Sequence, residues 1–153
     1  MPLGSAIGSI DLVERAAGHD GVLRITDHKT GKARAGAGLV IGGGAILQPV
    51  LYALACEVLL KADVESGRLY YCTADGGYTE AVVPLDERAR AAAGTVAEVI
   101  GGALAEGFLP AAPQKDACRW CDYRPICGPH EELRTAKKPR DRIAGLERLR
   151  GLP

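Results

Sequence analysis

The chain has 153 residues, with 19 basic and 19 acidic side chains, so its formal net charge is zero. That length suffices for one domain with a real core, while the balanced charge removes any global argument for nucleic acid or an acidic partner and leaves only local patches to consider. No window approaches the roughly 18 uninterrupted apolar residues of a spanning helix and no secretory signal is visible, so a cytoplasmic protein with no membrane role is expected.

The opening residues 1–7 contain Met-Pro-Leu-Gly-Ser, which resembles a cloning remnant. A strand-like segment starts almost at once, so the chain is expected to begin in mid-domain. Ser9 to Arg15 alternates, with Ile10 and Leu12 on one face and Asp11 and Val13 on the other. A turn cluster follows at Gly18-His19-Asp20-Gly21, then a second strand from Val22 to Lys29. Leu23, Ile25, Asp27 and Lys29 share one face of that strand. The two strands are expected to pair as an antiparallel hairpin.

Thr30 to Gly44 is rich in Gly, Ala and basic residues and reads as an irregular crossing loop. Gly42-Gly43-Gly44 fits neither phosphate-binding fingerprint and is read as flexible. Ala45 to Ala62 reads as a helix with an apolar face of Leu47, Leu51, Leu54, Val58 and Leu59. Gln48 and Tyr52 lie one turn apart on it. Arg68 to Thr73 and Tyr78 to Pro84 form a second hairpin around Ala74-Asp75-Gly76-Gly77. Asp86 caps an Ala-rich helix running to about Glu106, where Gly107 stops it.

A Pro-rich connector leads into Cys118, Cys121 and Cys127. In a reducing compartment such a cluster points to metal ligation rather than disulfides. Thiolates at this spacing suit Zn²⁺ or an iron–sulfur cluster. Cys56 and Cys72 read as core residues, and Trp120 and Tyr123 as packing for the cysteine loop. The charged end holds a short helix from Glu131, a solvated basic stretch from Lys137 to Arg142 and a final amphipathic turn or two. The order β-β-α-β-β-α implies one α/β layered domain. Its expected divisions are a core over 8–112, a cysteine segment over 113–130 and a charged tail over 131–153.

Asp11, Asp27 and Lys29 carry the chemistry. Two carboxylates converging at a strand end can hold a hard cation such as Mg²⁺ or Mn²⁺, and the backbone carbonyl of His28 is a further oxygen ligand. Such a cation polarises a phosphodiester and activates a water. Lysine beside it can stabilise the developing charge. The competing reading is a surface salt bridge at a strand end.

The order Gly8-Ser9-Ile10-Asp11, Asp27-His28-Lys29-Thr30-Gly31, Gln48 with Tyr52, then Cys118, Cys121 and Cys127 resembles the PD-(D/E)XK nuclease superfamily, and more narrowly its RecB/AddB-type nuclease domains, related to CRISPR adaptation exonucleases. The resemblance implies a restriction-endonuclease-like core, a mixed sheet flanked by helices, with a C-terminal cysteine-rich metal-binding appendage. It implies that Asp11 and Asp27 bind Mg²⁺ or Mn²⁺ and that Lys29 is catalytic. Gln48 and Tyr52 would line the same site and contact the DNA strand. The cysteines would belong to a [4Fe-4S] cluster whose fourth cysteine lies upstream. That cysteine is not in this sequence, so an incomplete cluster, a Zn²⁺ completed by His130 and an empty loop all stay open.

The function expected is a metal-dependent DNA exonuclease domain in recombinational repair, partnered by a helicase region or subunit. The alternatives are a CRISPR adaptation exonuclease, a non-catalytic DNA-binding or scaffolding module with the same fold, and a small zinc-ribbon interaction domain, which leaves the hairpin acids unexplained. Absent N-terminal helices would leave an apolar sheet face uncovered and favour self-association.

Overall fold

The computed structural model describes residues 8–15, 21–36 and 38–153. Four strands form one mixed sheet in the order β1-β2-β3-β4, with β1 Leu12–Arg15, β2 Leu23–Lys29, β3 Val64–Tyr71 and β4 Glu80–Pro84. β1 and β2 pair antiparallel from Leu12 opposite Thr26 to Arg15 opposite Leu23, the hairpin that the alternation predicts. The turn expected at Gly18-His19-Asp20 lies outside the described residues. β2 and β3 run parallel, Asp27 opposite Leu69 and Lys29 opposite Tyr71. A parallel neighbour needs a crossover, supplied by α1 Gln48–Leu60. β3 and β4 close the predicted second hairpin.

α2, Glu87–Ala105, starts where Asp86 accepts a hydrogen bond from the Ala89 N–H, the cap that the sequence predicts. α1 and α2 cover one side of the sheet. Ile25, Val64 and Val83 meet Val50, Ala53 and Cys56 of α1 and Ala89, Ala92, Ala93 and Val96 of α2 in one core. Three short helices follow, α3 Arg124–Cys127, α4 Glu131–Ala136 and α5 Ala144–Arg150. The charged tail does not hang free at its end: Leu149 of α5 is buried in the same core, with Leu146 and Leu152 against it.

The expected face of α1 holds in part: Leu47, Leu51 and Leu54 pack half-buried against the core. Its buried residues are Pro49, Val50, Ala53 and Cys56, whereas Val58 and Leu59 are 76% and 75% exposed. Small side chains win the sheet side because the helix lies very close to β3. The carbonyl of Pro49 fills the space that a Cβ on Gly67 would occupy, so only glycine fits in β3 there.

The opposite sheet face is not apolar as expected. Arg68 reaches Glu14 at 2.9 Å, Glu80 at 3.0 Å and the hydroxyl of fully buried Thr26 at 3.0 Å, tying β1, β2 and β4 to β3. Arg24 adds ion pairs to Glu14 and Glu65. The apolar premise for self-association is therefore replaced by a charged network, with Leu12 and Val82 part-exposed among it. Gly42-Gly43-Gly44 is also not a loose linker. It forms a 3-10 turn that contacts α5.

Candidate active site at the end of the second strand

β2 places Asp27, His28 and Lys29 at its C-terminal end, where the strand leaves the core: Ile25, Thr26 and Asp27 are buried, His28 is exposed and Lys29 half-buried. Asp27 and Lys29 point to the same face by strand alternation. Lys29 Nζ lies 2.6 Å from Asp27 Oδ2. That oxygen is buried. A buried carboxylate is costly to keep unless it is paired, and the Lys29 ammonium supplies that pairing.

Asp11 lies one residue before β1. Extending the β1–β2 register by one step sets it opposite Asp27. Its Oδ2 accepts a hydrogen bond at 2.8 Å from the backbone N–H of His28, the residue between Asp27 and Lys29. The His28 ring sits near the same carboxylate, Nδ1 at 3.8 Å, and edge-on to Tyr70. The hairpin thus brings both predicted carboxylates to one strand end.

The predicted helix residues are positioned from the other side. Gln48 is the first residue of α1 and half-buried. Tyr52, one turn on, packs against Gly8, whose notional Cβ would be 3.3 Å from its ring. This puts Tyr52 beside the segment that leads into Asp11. Among the described residues neither Gln48 nor Tyr52 hydrogen-bonds the two carboxylates.

Tyr71 is a neighbour that the sequence reading missed. It is buried opposite Lys29 in the parallel register, and its hydroxyl accepts a hydrogen bond at 3.2 Å from the Arg34 N–H. It pins the loop after the Asp-His-Lys segment to β3. Gly67 is the second omission. A lone glycine inside a strand signals a close backbone approach, and that signal was present.

The donors fit a hard cation. Mg²⁺ commonly takes one or two carboxylates and fills its other positions with water or phosphate oxygens, which is what Asp11 and Asp27 offer. Among the described residues no group of three or more His, Cys, Asp or Glu gathers as a ligand set. That also holds for the cysteine segment. Cys118 is buried, Cys127 half-buried and Cys121 exposed, and they do not close a site with His130, so no iron–sulfur cluster or Zn²⁺ is assigned to them. Burial, then the nearby carboxylates of Glu131 and Glu132, raise the Cys118 thiol above its ordinary pKa. Trp120 and Tyr123 do not pack the cysteine loop as expected. They are 83% and 70% exposed, with the Arg119 guanidinium 5.3 Å from the Trp120 ring centre.

No helix among the described residues is long and apolar enough to cross a membrane. A family model described as the PD-(D/E)XK nuclease superfamily matches residues 5–128. No curated protein matches the chain. The chain belongs to the PD-(D/E)XK nuclease superfamily.

Proposed function

We propose that this member of the PD-(D/E)XK nuclease superfamily is a Mg²⁺- or Mn²⁺-dependent DNA exonuclease domain of recombinational repair, working beside a helicase region or subunit. The observation that carries the reading is a single strand end holding a buried Asp27 carboxylate, Lys29 against it and Asp11 anchored on the intervening N–H. A surface salt bridge needs neither the burial nor the second carboxylate.

Asp11 and Asp27 are the residues to hold the cation, with the His28 carbonyl as an added oxygen. A bound divalent ion supplies polarisation of the phosphodiester and a lowered pKa for water at the site. Lys29 then faces the scissile phosphate and offsets the charge that builds on its oxygens. Gln48 and Tyr52 orient the strand from the helix side. In the reaction the oxygen of water bonds to phosphorus, the bond from phosphorus to the 3′ oxygen breaks and a proton ends on that oxygen. The products are a 5′-phosphate and a 3′-hydroxyl. Exonuclease action and the repair setting follow from the resemblance to RecB/AddB-type domains carried by Gly8-Ser9-Ile10-Asp11, Asp27-His28-Lys29-Thr30-Gly31, Gln48 with Tyr52, and Cys118, Cys121 and Cys127 in that order.

Linear and covalently closed circular DNA incubated with Mg²⁺ or Mn²⁺ test the reading. Loss of the linear form alone, abolished by chelator and by Asp27→Ala or Lys29→Ala, is expected. Cleavage unchanged in both variants would overturn the site assignment, and cleavage of the circle would overturn the exonuclease mode.

A further inference from the structure

Four consecutive amides ahead of α1 are bound by the last two residues of the chain. The N–H groups of Val40, Ile41 and Gly42 donate to the Pro153 carbonyl oxygen at 3.1, 2.6 and 3.0 Å. The Gly43 N–H donates to the Leu152 oxygen at 2.9 Å. Successive amides aimed at one oxygen form an anion-binding concavity. Val40 and Ile41 are buried, and buried amides require partners. The next three amides, those of Gly44, Ala45 and Ile46, turn back onto the loop itself.

Packing reinforces this clasp. Gly43 has φ of 63°, and a Cβ on it would lie 2.8 Å from the backbone oxygen of Arg150. A Cβ on Gly44 would lie 3.2 Å from the Leu149 side chain. Leu149 is buried in the main core with Leu152 against it. The triple glycine is therefore a seat shaped for the C-terminal segment.

We propose that Leu149–Pro153 is a positioning element for the candidate site: it fixes Val40–Gly44 and, through that loop, the first turn of α1 with Gln48 and Tyr52. The structural half of this stands on the hydrogen bonds above, and the catalytic half rests on the nuclease reading. α1 begins four residues after Gly44, and the Leu51 N–H already donates to the Leu47 oxygen at 3.0 Å. The start of the helix is thus held at two places, against Gly67 of β3 and behind by the clasp. Opening the clasp leaves Pro49 seated on Gly67 but removes the brace behind it, so the start of the helix can pivot about that contact and Gln48 and Tyr52 lose register with Asp27 and Lys29.

Two matched variants test this. Gly42→Ala and Gly43→Ala each add one methyl at a positive φ, 53° and 63°, so both carry the same backbone cost. At Gly42 the nearest neighbour is the side chain of Leu39 at 3.4 Å, whereas at Gly43 it is the Arg150 backbone. Gly43→Ala is expected to speed amide exchange at Val40, Ile41, Leu51 and Tyr52 tenfold or more, read by NMR, and to lower kcat/KM on linear DNA tenfold or more at an unchanged far-UV spectrum. Gly42→Ala is expected to do much less of both. Where Gly43→Ala does not fold, Leu152→Ala carries the same expectation by trimming a half-buried contact of the segment. Unaltered exchange at Val40 and Ile41 overturns the clasp. Faster exchange there with Leu51 and Tyr52 unaffected overturns its link to the helix, and so does an equal loss in both glycine variants. A wild-type chain that cleaves no DNA sinks the nuclease reading alone, because exchange still decides the clasp.

Discussion

The carbonyl of Pro49 sits where a Cβ on Gly67 would have to be, so α1 and β3 touch backbone to backbone. This contact sets the height of the helix above the sheet, and with it the height of Gln48 and Tyr52 above the end of β2. Gly67→Ala has no side-chain escape, because the atoms in its way are main chain. The helix must lift, at a cost of about 3 kcal/mol, the upper end for overpacking. Urea unfolding should show the midpoint falling with little change in slope. A variant within about 0.5 kcal/mol of wild type would mean that the helix is not seated there.

Asp11 and Asp27 are both acidic but differ in what else they do. Asp11 is exposed and already satisfies the His28 N–H, a role that an asparagine oxygen can fill. Asp11→Asn should therefore change stability by less than about 0.5 kcal/mol. Asp27 is buried against Lys29, and Asp27→Asn leaves that ammonium without its counter-charge. The loss should be about 1 kcal/mol, below the figure for a fully buried pair because Lys29 is a third exposed. A ligand that binds only the folded state raises the melting temperature. Mn²⁺ should do so in wild type, less in Asp11→Asn and not at all in Asp27→Asn. An equal Mn²⁺ response in wild type and Asp27→Asn would remove Asp27 from the cation site.

Much of this was legible in the sequence because it depends on local signals. Alternation and turn residues give the hairpins, and Asp86 and Gly107 bracket the long helix. The Asp27–Lys29 meeting follows from strand period alone. What the sequence hid depends on partners distant in the chain. The fully buried stripe of α1 runs through Pro49, Val50, Ala53 and Cys56, with Leu47, Leu51 and Leu54 half-buried beside it, because Gly67 lets the backbone approach and leaves room only for small side chains nearest the sheet. The triple glycine looked loose because its partners, Leu149 to Pro153, lie more than a hundred residues away. The sheet face beyond β2 looked apolar because the pairing of Arg68 with Glu14 and Glu80 requires the strand order, which the sequence does not print.

Glu57 of α1 and Arg90 of α2 form a two-pronged pair at 2.6 and 2.8 Å, a polar side-chain link between the two helices. The hydrogen bonds from Arg90 hold the Glu57 carboxyl below its ordinary pKa. A depressed carboxylate pKa stabilises the fold above the unfolded value, near 4.3 for glutamate, and the contribution is lost as pH falls through the folded value. Arg90 is nearly half exposed, so solvent screening limits the pair to roughly 0.5–1 kcal/mol. Glu57→Gln should unfold at lower denaturant than wild type at pH 7, with the gap closing below about pH 4. A gap that persists or widens in acid would show that the carboxylate charge is not its source.

Trp120 is the single tryptophan of the chain, so its fluorescence reports one environment. Its ring is 83% exposed, beside Arg119 and near exposed Tyr123 and Ile126. A side chain packed under the cysteine loop would be shielded from solutes, whereas this one meets solvent on nearly all sides. Its emission should resemble that of free tryptophan, and iodide should quench it almost as efficiently. Quenching should exceed that by caesium, because the adjacent guanidinium attracts the anion and repels the cation. Arg119→Gln should narrow the difference between the two quenchers without shifting the emission, since it removes the charge and not the exposure. Blue-shifted emission with weak quenching by either ion would put Trp120 back inside the cysteine segment and return that segment to a closed, packed arrangement.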